Sequence, residues 1–161
     1  MDGKYWGTLT RRIVEEDEED YDLPLNFFVA DGFRCFAQVC EKLGKDGSAY
    51  QTYYKQMADA LHENFYRPAY GGYATMISDH EPKHDLCQGM MLYLGRVPDS
   101  KPVEKLICSE SLLKATLGLS VYVYEGMLLY GQKDYVLQDP EERWGGMVHR
   151  GCDTFWETER G

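Results

Sequence analysis

The residues with the clearest capacity for chemistry lie near the C-terminus, in the stretch ERWGGMVHRGCDTFWETERG. Aromatic and acidic side chains alternate there, namely Trp144, Phe155 and Trp156 beside Asp153, Glu157 and Glu159. Aromatic rings next to a carboxylate on a segment bounded by glycines can shape a sugar pocket and activate water for hydrolysis. An aromatic anchor followed by a solvated glutamate is the alternative that the spacing leaves open.

Three further polar residues are candidates for the same pocket. His84 and Asp85 stand at the predicted start of an apolar helix, where an inner helix end would face a ligand. A helix cap that faces solvent is the alternative for this pair. Glu125 lies within an otherwise apolar segment, and a buried carboxylate must be either paired or functional. We therefore predict substrate-binding roles for His84, Asp85 and Glu125, together with Trp144 and Trp156.

Other kinds of site have little support in the sequence. There is no GxSxG, P-loop or GxGxxG motif. His80 and His84 are four residues apart, but Pro82 argues against a shared helix face, and no cysteine or carboxylate completes a zinc-ligand spacing. We predict no metal and no cofactor. The five cysteines are odd in number and lack CxxC spacing, which predicts reduced, buried thiols and a reducing, cytoplasmic compartment.

Composition limits the possible partners of this chain. It has 161 residues, 43% of them hydrophobic, and a formal net charge of −10, from 17 basic and 27 acidic residues. Such a charge disfavours nucleic acid and anionic membranes, and no apolar run is long enough for a membrane span or a secretion signal. Aromatic residues make up 14% of the chain. This content suits a carbohydrate ligand, although most of the rings could instead form the core.

Apolar spacing predicts two long helices after an acidic, irregular lead-in over 1–21. The first runs from Leu25 to Leu43, with Asp22 and Pro24 as start signals and Gly44 as its stop. Ser48 is predicted to cap the second, which carries an apolar stripe from Tyr50 to Phe65. Together they predict a helical hairpin.

The second half of the chain predicts shorter helices. One spans 84–94, is apolar on nearly all sides and is closed by Gly95, and Pro102 opens another toward Ile107. Residues 120–130 fit a strand by β propensity or a buried helix by spacing, and 73–77 fit a strand or a loop. Pro140 is predicted to start a last helix toward Arg150. The fold class that follows is all-α, built of helical hairpins.

The order WGGMVHRGCDTFWET resembles the W-G-x-M-x-x-x-G-x-T-T-x-W-E signature of bacterial α-L-rhamnosidases, glycoside hydrolase family 78. The matching residues are Trp144, Gly145, Met147, Gly151, Thr154, Trp156 and Glu157. Upstream, the run LGRVP is similar to the end of a helix in that family, and the hairpin over 25–65 is similar to the helix pair before it. The resemblance covers about residues 22–161.

This resemblance implies a fold and a reaction. The family folds as an (α/α)6 toroid, and its members are inverting enzymes in which one acid protonates the leaving oxygen while a second carboxylate activates water. Glu157 corresponds to that second carboxylate, the general base, and Trp156 and Trp144 to the pocket wall. The family's general acid lies in an Asp- and Arg-rich motif before the first matched hairpin, and this sequence contains no such motif.

A complete toroid also needs more residues than this chain has. Twelve helices with their loops require roughly 200 residues. We therefore predict the C-terminal half of a toroid in a fragment of an α-L-rhamnosidase, with possible self-association through exposed inner-helix faces. A non-catalytic helical module that binds carbohydrate or protein, and a six-hairpin glycosidase for another sugar, are the alternatives.

Overall fold

The computed structural model describes residues 20–154, and these are mostly helical, as predicted. They fall into two compact units that meet in sequence at Pro82 and Lys83. The predicted general base Glu157 and its neighbour Trp156 lie outside the described residues, as does nearly all of the predicted lead-in. The predicted division into a lead-in and a partial toroid stays a prediction.

The first unit is built on a pair of long helices, α1 (Leu23–Lys42) and α2 (Ser48–Phe65). Helix α1 begins as predicted, because the Asp22 side chain accepts a hydrogen bond from the backbone N–H of Leu25 at 2.8 Å and a proline fits the first turn. The predicted cap of α2 is wrong. Gly47 caps that helix, and the N–H of Ser48 donates to Asp46 Oδ1 at 2.9 Å.

Each of these helices turns one face inward. The buried side chains of α1 and α2 are both small and large, and they are Leu23, Phe27, Ala30, Ala37 and Cys40 on α1 with Tyr54, Ala58, Leu61 and Phe65 on α2. Alanines among larger side chains let the two helices approach closely. The opposite face of α1 is also apolar, yet it is exposed.

A small antiparallel hairpin follows α2, with β1 (Tyr66–Arg67) paired to β2 (Gly72–Tyr73). The rest of the segment predicted as strand or loop is irregular. The Arg67 guanidinium connects the end of α2 with the loop after β2, since it donates to the carbonyl oxygens of Asn64, Ile77 and Asp79 at 2.7–2.9 Å. Five donors in one planar group make such a multiple contact possible.

The described part of the second unit, residues 83–154, contains four helices, α3 (Asp85–Leu94), α4 (Lys101–Ile107), α5 (Ser120–Leu129) and α6 (Lys133–His149). Helix α3 is buried along its whole length except at Tyr93, as its composition predicts. It ends at Gly95, which has a φ of +67°, a backbone conformation that glycine adopts without strain.

Residues 120–129 form a helix, which decides between the two predicted possibilities. Helices α3 and α5 pack at very short range through a pair of glycines. A methyl group on Gly126 would lie 2.5 Å from the carbonyl oxygen of Gly89, and one on Gly89 would overlap Val123. Ser120, Val123 and Met127 are the buried residues around this contact, and their spacing is helical. Packing against α3 therefore overrides the β propensity of the segment.

Pro140 lies inside α6, so the prediction that it starts the helix is wrong. Contacts one turn apart bridge the proline on the helix surface. Arg143 donates to Asp139 at 3.2 Å, and Gln138 donates to Glu142 at 2.6 Å. These pairs help the helix continue where proline removes a backbone donor.

The five cysteines are all free thiols. Cys40 and Cys87 are buried as predicted, but Cys35 and Cys108 are exposed and Cys152 is half-buried. The prediction fails at Cys35 because this residue lies on the outer face of α1, and at Cys108 because it caps the short helix α4. Within residues 20–154, no helix has the length and apolar character needed to cross a membrane.

Candidate functional site

Among the described acidic residues of the second unit, Asp85 is the most deeply buried, with 1% of its surface exposed. It opens α3 after His84, whose extended backbone pairs with Leu113. The backbone N–H of Asp85 donates to the Leu113 carbonyl at 3.1 Å, and its Oδ1 accepts from the N–H of Ala115 at 2.7 Å. Its other oxygen, Oδ2, is buried and accepts no hydrogen bond from the described residues.

Burial dominates the electrostatics of this carboxyl. It raises the pKa of Asp85 from its ordinary value of 3.8 to about 6, although the bond from Ala115 and the cations of Lys114 and Arg143 act in the opposite direction. Desolvation disfavours the charged form of a carboxyl because the interior cannot solvate it as water does. Asp85 is therefore half-protonated close to pH 6.

Lys114 stands between two carboxylates. Its Nζ lies 3.8 Å from Asp85 Oδ2 and 3.8 Å from Asp139 Oδ1, and it donates to the Ile107 carbonyl at 3.1 Å and to the Tyr135 hydroxyl at 3.2 Å. The ammonium also lies 5.4 Å from the centre of the Tyr135 ring. One half-buried cation thus serves two acids, a carbonyl and a phenol.

Asp139 and Arg143 attach α6 to the same cluster. Asp139 Oδ2 accepts from the Tyr124 hydroxyl at 2.6 Å and from Arg143 at 3.2 Å. Arg143 also donates to the carbonyl of Ala115 at 2.6 Å, so Asp85 and Arg143 hold the two backbone groups of one residue. Burial and the Asp139 charge raise the pKa values of the Tyr124 and Tyr135 phenols, which stay neutral donors.

Trp144 lies beside this cluster. It is half-buried, and its ring meets Tyr124 edge-on at 5.9 Å between centroids. The structure therefore brings together two of the predicted residues, Asp85 and Trp144, through Tyr124, Asp139 and Arg143. We name these five residues, together with Lys114 and Tyr135, the Asp85 cluster: Asp85, Lys114, Tyr124, Tyr135, Asp139, Arg143 and Trp144.

The charges of this cluster balance, with two carboxylates and two cations. Its hydrogen bonds connect the start of α3, the backbone at Ala115 and the middle of α6. The Asp85 carboxyl is closed off from solvent. The chemical effect of the cluster is therefore structural, since its hydrogen bonds and ion pairs hold these three segments together. No group of three His, Cys, Asp or Glu side chains within residues 20–154 could hold a metal ion.

The other predicted site residues are placed differently. Glu125 is exposed, so the premise that it is buried is wrong, because α5 turns this side chain away from the core. His84 is half-buried and caps α3 with its backbone. Substrate contacts by His84, Asp85, Glu125, Trp144 and Trp156, and the role of Glu157, stay predictions.

The sequence reasoning missed Lys114, Asp139 and Arg143. A signal existed for two of them, since acid and arginine four residues apart are neighbours on a helix. Because α6 was predicted to start at Pro140, Asp139 was placed before the helix, and the Asp139–Arg143 pair was not predicted. Lys114 had no local signal, because its acidic partners Asp85 and Asp139 are far from it in sequence.

Comparison with solved structures supplies a fold likeness. The chain is similar to the crystal structure of a GH78 family rhamnosidase of Bacillus sp. GL1. The TM-score is 0.67 and the sequence identity 14%, over 81% of this chain. No protein-family model matches the sequence, and no curated protein matches it.

The likeness to this rhamnosidase shows the fold alone. The rhamnosidase has a helical toroid fold, and the predicted class of helical hairpins from such a toroid is confirmed. The part that is matched amounts to 15% of the length of the rhamnosidase. Most of that enzyme therefore has no counterpart in this chain.

Proposed function

We propose that this chain is part of a glycoside hydrolase of the helical-toroid type and acts on terminal α-L-rhamnose. The observation that carries the proposal is the fold similarity to a rhamnosidase over 81% of the chain. The sequence after α6 supports it independently, because Trp156 and Glu157 follow that helix in the pattern of an aromatic wall beside a carboxylate.

Each residue has a definite role in this proposal. Glu157 is the general base that activates water, and Trp156 and Trp144 line the pocket. Asp139 and Arg143 are positioning residues, since they hold α6, which leads toward Glu157 in sequence. Inversion requires a second carboxyl about 6.5–9.5 Å from the base, and we assign that general acid to a polypeptide segment outside this sequence.

A substrate that needs no acid tests the base by itself. Fluoride leaves without protonation by a general acid. The rate of fluoride release from α-L-rhamnosyl fluoride therefore depends on the general base that activates water and not on the general acid. We expect the 161-residue chain to hydrolyse the fluoride and to leave an alkyl rhamnoside intact. Glu157→Gln should abolish fluoride release, whereas Glu159→Gln, a matched change two residues away, should retain it.

The possible results separate the candidate functions. Fluoride release that is equal in the Glu157→Gln variant would contradict the assigned base. No release by any form, combined with saturable binding of rhamnose in a calorimetric titration, would instead favour a non-catalytic carbohydrate-binding module. Release from another glycosyl fluoride but not from the rhamnosyl compound would favour a glycosidase for another sugar.

One observation favours the binding module as the second candidate. The first unit contains a groove of about 290 Å³ lined by apolar, aromatic and amide side chains, among them Tyr21, Phe65, Asn26 and Asn64. Aromatic and amide groups are common in sites that bind polar organic ligands. Under this alternative, Phe65→Ala would not be informative because Phe65 is core, but Tyr21→Ala should weaken rhamnose binding.

A further inference from the structure

The outer face of α1 carries an apolar stripe that stays largely exposed among the described residues, although the Phe36 ring meets the Tyr50 ring edge-on at 4.6 Å between centroids. Its members, which we name the α1 stripe, are Leu25, Val29, Gly32, Phe36, Val39 and Leu43. The five side chains are 45–65% exposed, and none of the six residues is charged. Lone exposed apolar residues are ordinary, but a continuous stripe about 30 Å long on a chain with a net charge of −10 is not.

The spacing of the stripe is that of a coiled-coil seam. Successive members are four, three, four, three and four residues apart, which is the heptad pattern of two helices that pack along their length. The inner face of α1 already packs within the first unit through another set of residues, including Phe27 and Ala30. Helix α1 is therefore apolar on two faces, of which only the inner one is buried in the described chain.

Gly32 lies in the middle of the stripe, and the fold of one copy gives no steric reason for it. A methyl group built on Gly32 meets nothing within 4 Å. Glycine inside a helix costs about 1 kcal/mol relative to alanine. Inside the helices, Gly89 and Gly126 admit a neighbouring helix, whereas a methyl group on Gly145, as on Gly32, meets nothing within 4 Å. Gly32 differs from Gly145 in that it lies in an exposed apolar stripe, where its open space can admit a helix that approaches from outside.

We propose that the α1 stripe is the interface of a homodimer in which two copies of α1 pack antiparallel. In the register centred near Arg34, the seam is self-complementary. Leu25 faces Leu43 of the second copy, Val29 faces Val39, and Gly32 faces Phe36. The largest side chain of the stripe thus packs into the space left by the glycine, twice by symmetry.

Charge and size are consistent with a second copy as the occupant. Asp20 precedes the start of α1, and Lys42 and Lys45 lie at its end, so antiparallel packing brings opposite charges together at both ends. Two 20-residue helices packed along their length bury on the order of 1,000 Å² in total, which is at the lower limit of specific interfaces. The dimer should therefore be weak and depend on concentration.

Sedimentation velocity of the 161-residue chain over a series of concentrations tests the dimer. We expect a shift from monomer to dimer with increasing concentration, and we expect Gly32→Glu to remove this shift. Glutamate is a better helix former than glycine, and one copy has room for it, so circular dichroism should show the variant folded. The matched control is Leu137→Glu, a change at an exposed residue of α6 that should leave the dimer intact.

Cross-linking distinguishes the register. Cys35 is exposed and borders the stripe beside the centre of the register, so a short bismaleimide should join Cys35 to Cys35 of the second copy. In a Cys35→Ser background, Leu25→Cys mixed with Leu43→Cys should give linked peptides that mass spectrometry identifies. Leu25→Cys alone should not link to itself, since antiparallel packing separates the two positions by roughly 27 Å.

Three results would overturn the proposal. The first is a monomer at every concentration, and slow alkylation of Cys35 in that monomer would indicate that residues 1–19 cover the stripe. The second is a dimer that Gly32→Glu leaves unchanged. The third is self-linking of Leu25→Cys, which would indicate parallel packing. None of these results depends on glycosidase activity, so they leave the proposed function untouched.

Discussion

At the scale of single residues, Asp85 makes the stability of its unit depend on pH. Its folded pKa of about 6 lies above its ordinary value of 3.8, so the folded state binds the proton more tightly than the unfolded state. Linkage then requires that the contribution of Asp85 to the free energy of unfolding is greatest below about pH 4 and is lost as the pH increases through 6. This direction is opposite to that of an ordinary surface carboxylate in an ion pair.

We expect the variant Asp85→Asn to lose this dependence. An asparagine oxygen can still accept from Ala115, while its neutral amide carries no cost of burying charge. Between pH 4 and 7 the free energy of unfolding of the unchanged protein should fall, relative to that of the variant, by on the order of 3 kcal/mol. Urea unfolding at several pH values measures this difference.

Asp22 provides the comparison for that experiment. Burial also raises its pKa to about 6, and Asp22 belongs to the first unit. Asp22→Asn keeps a good helix cap and should remove a separate part of the pH dependence. Parallel curves for the Asp85→Asn variant and the unchanged protein would contradict the burial argument at Asp85.

At the scale of elements, the contact between α3 and α5 depends on two glycines. We expect Gly126→Ala to destabilise the protein by roughly 2–4 kcal/mol, because the new methyl group would meet the Gly89 carbonyl oxygen and force the helices apart. Gly145→Ala is the matched control, since Gly145 is also helical but has nothing within 4 Å of the added carbon.

The control should change stability in the opposite direction. Alanine at 145 is expected to stabilise α6 by about 0.5–1 kcal/mol through helix propensity. Thermal unfolding followed by circular dichroism measures both variants. Equal effects at 126 and 145 would mean that propensity, not the close helix contact, determines the need for glycine at 126.

The sequence predicted most elements because their signals were local. Asp22, Pro24 and Gly95 mark helix ends through their own backbone chemistry, and the apolar composition of α3 predicts its burial. Features that depend on distant partners were not predictable. The helix at 120–129 is selected by its packing on Gly89, and Lys114 joins the Asp85 cluster only through residues that folding brings near.

At the scale of the whole molecule, net charge opposes the proposed dimer while the α1 stripe favours it. Each copy carries a net charge of −10, and salt screens the repulsion between two such copies. We expect the dissociation constant to decrease by roughly threefold or more as sodium chloride is raised from low to moderate concentration. Sedimentation equilibrium measures this change, and weaker association in salt would indicate an interface dominated by ion pairs instead.

The glycine contact between α3 and α5 also determines how slowly part of the backbone exchanges its amide protons. Buried helices in backbone contact leave no room for a single turn to open, so solvent can reach the amides of 89–94 only when the whole unit unfolds. The exchange rates of these amides in heavy water would then be close to one another. They would report the global stability of the second unit directly, without denaturant.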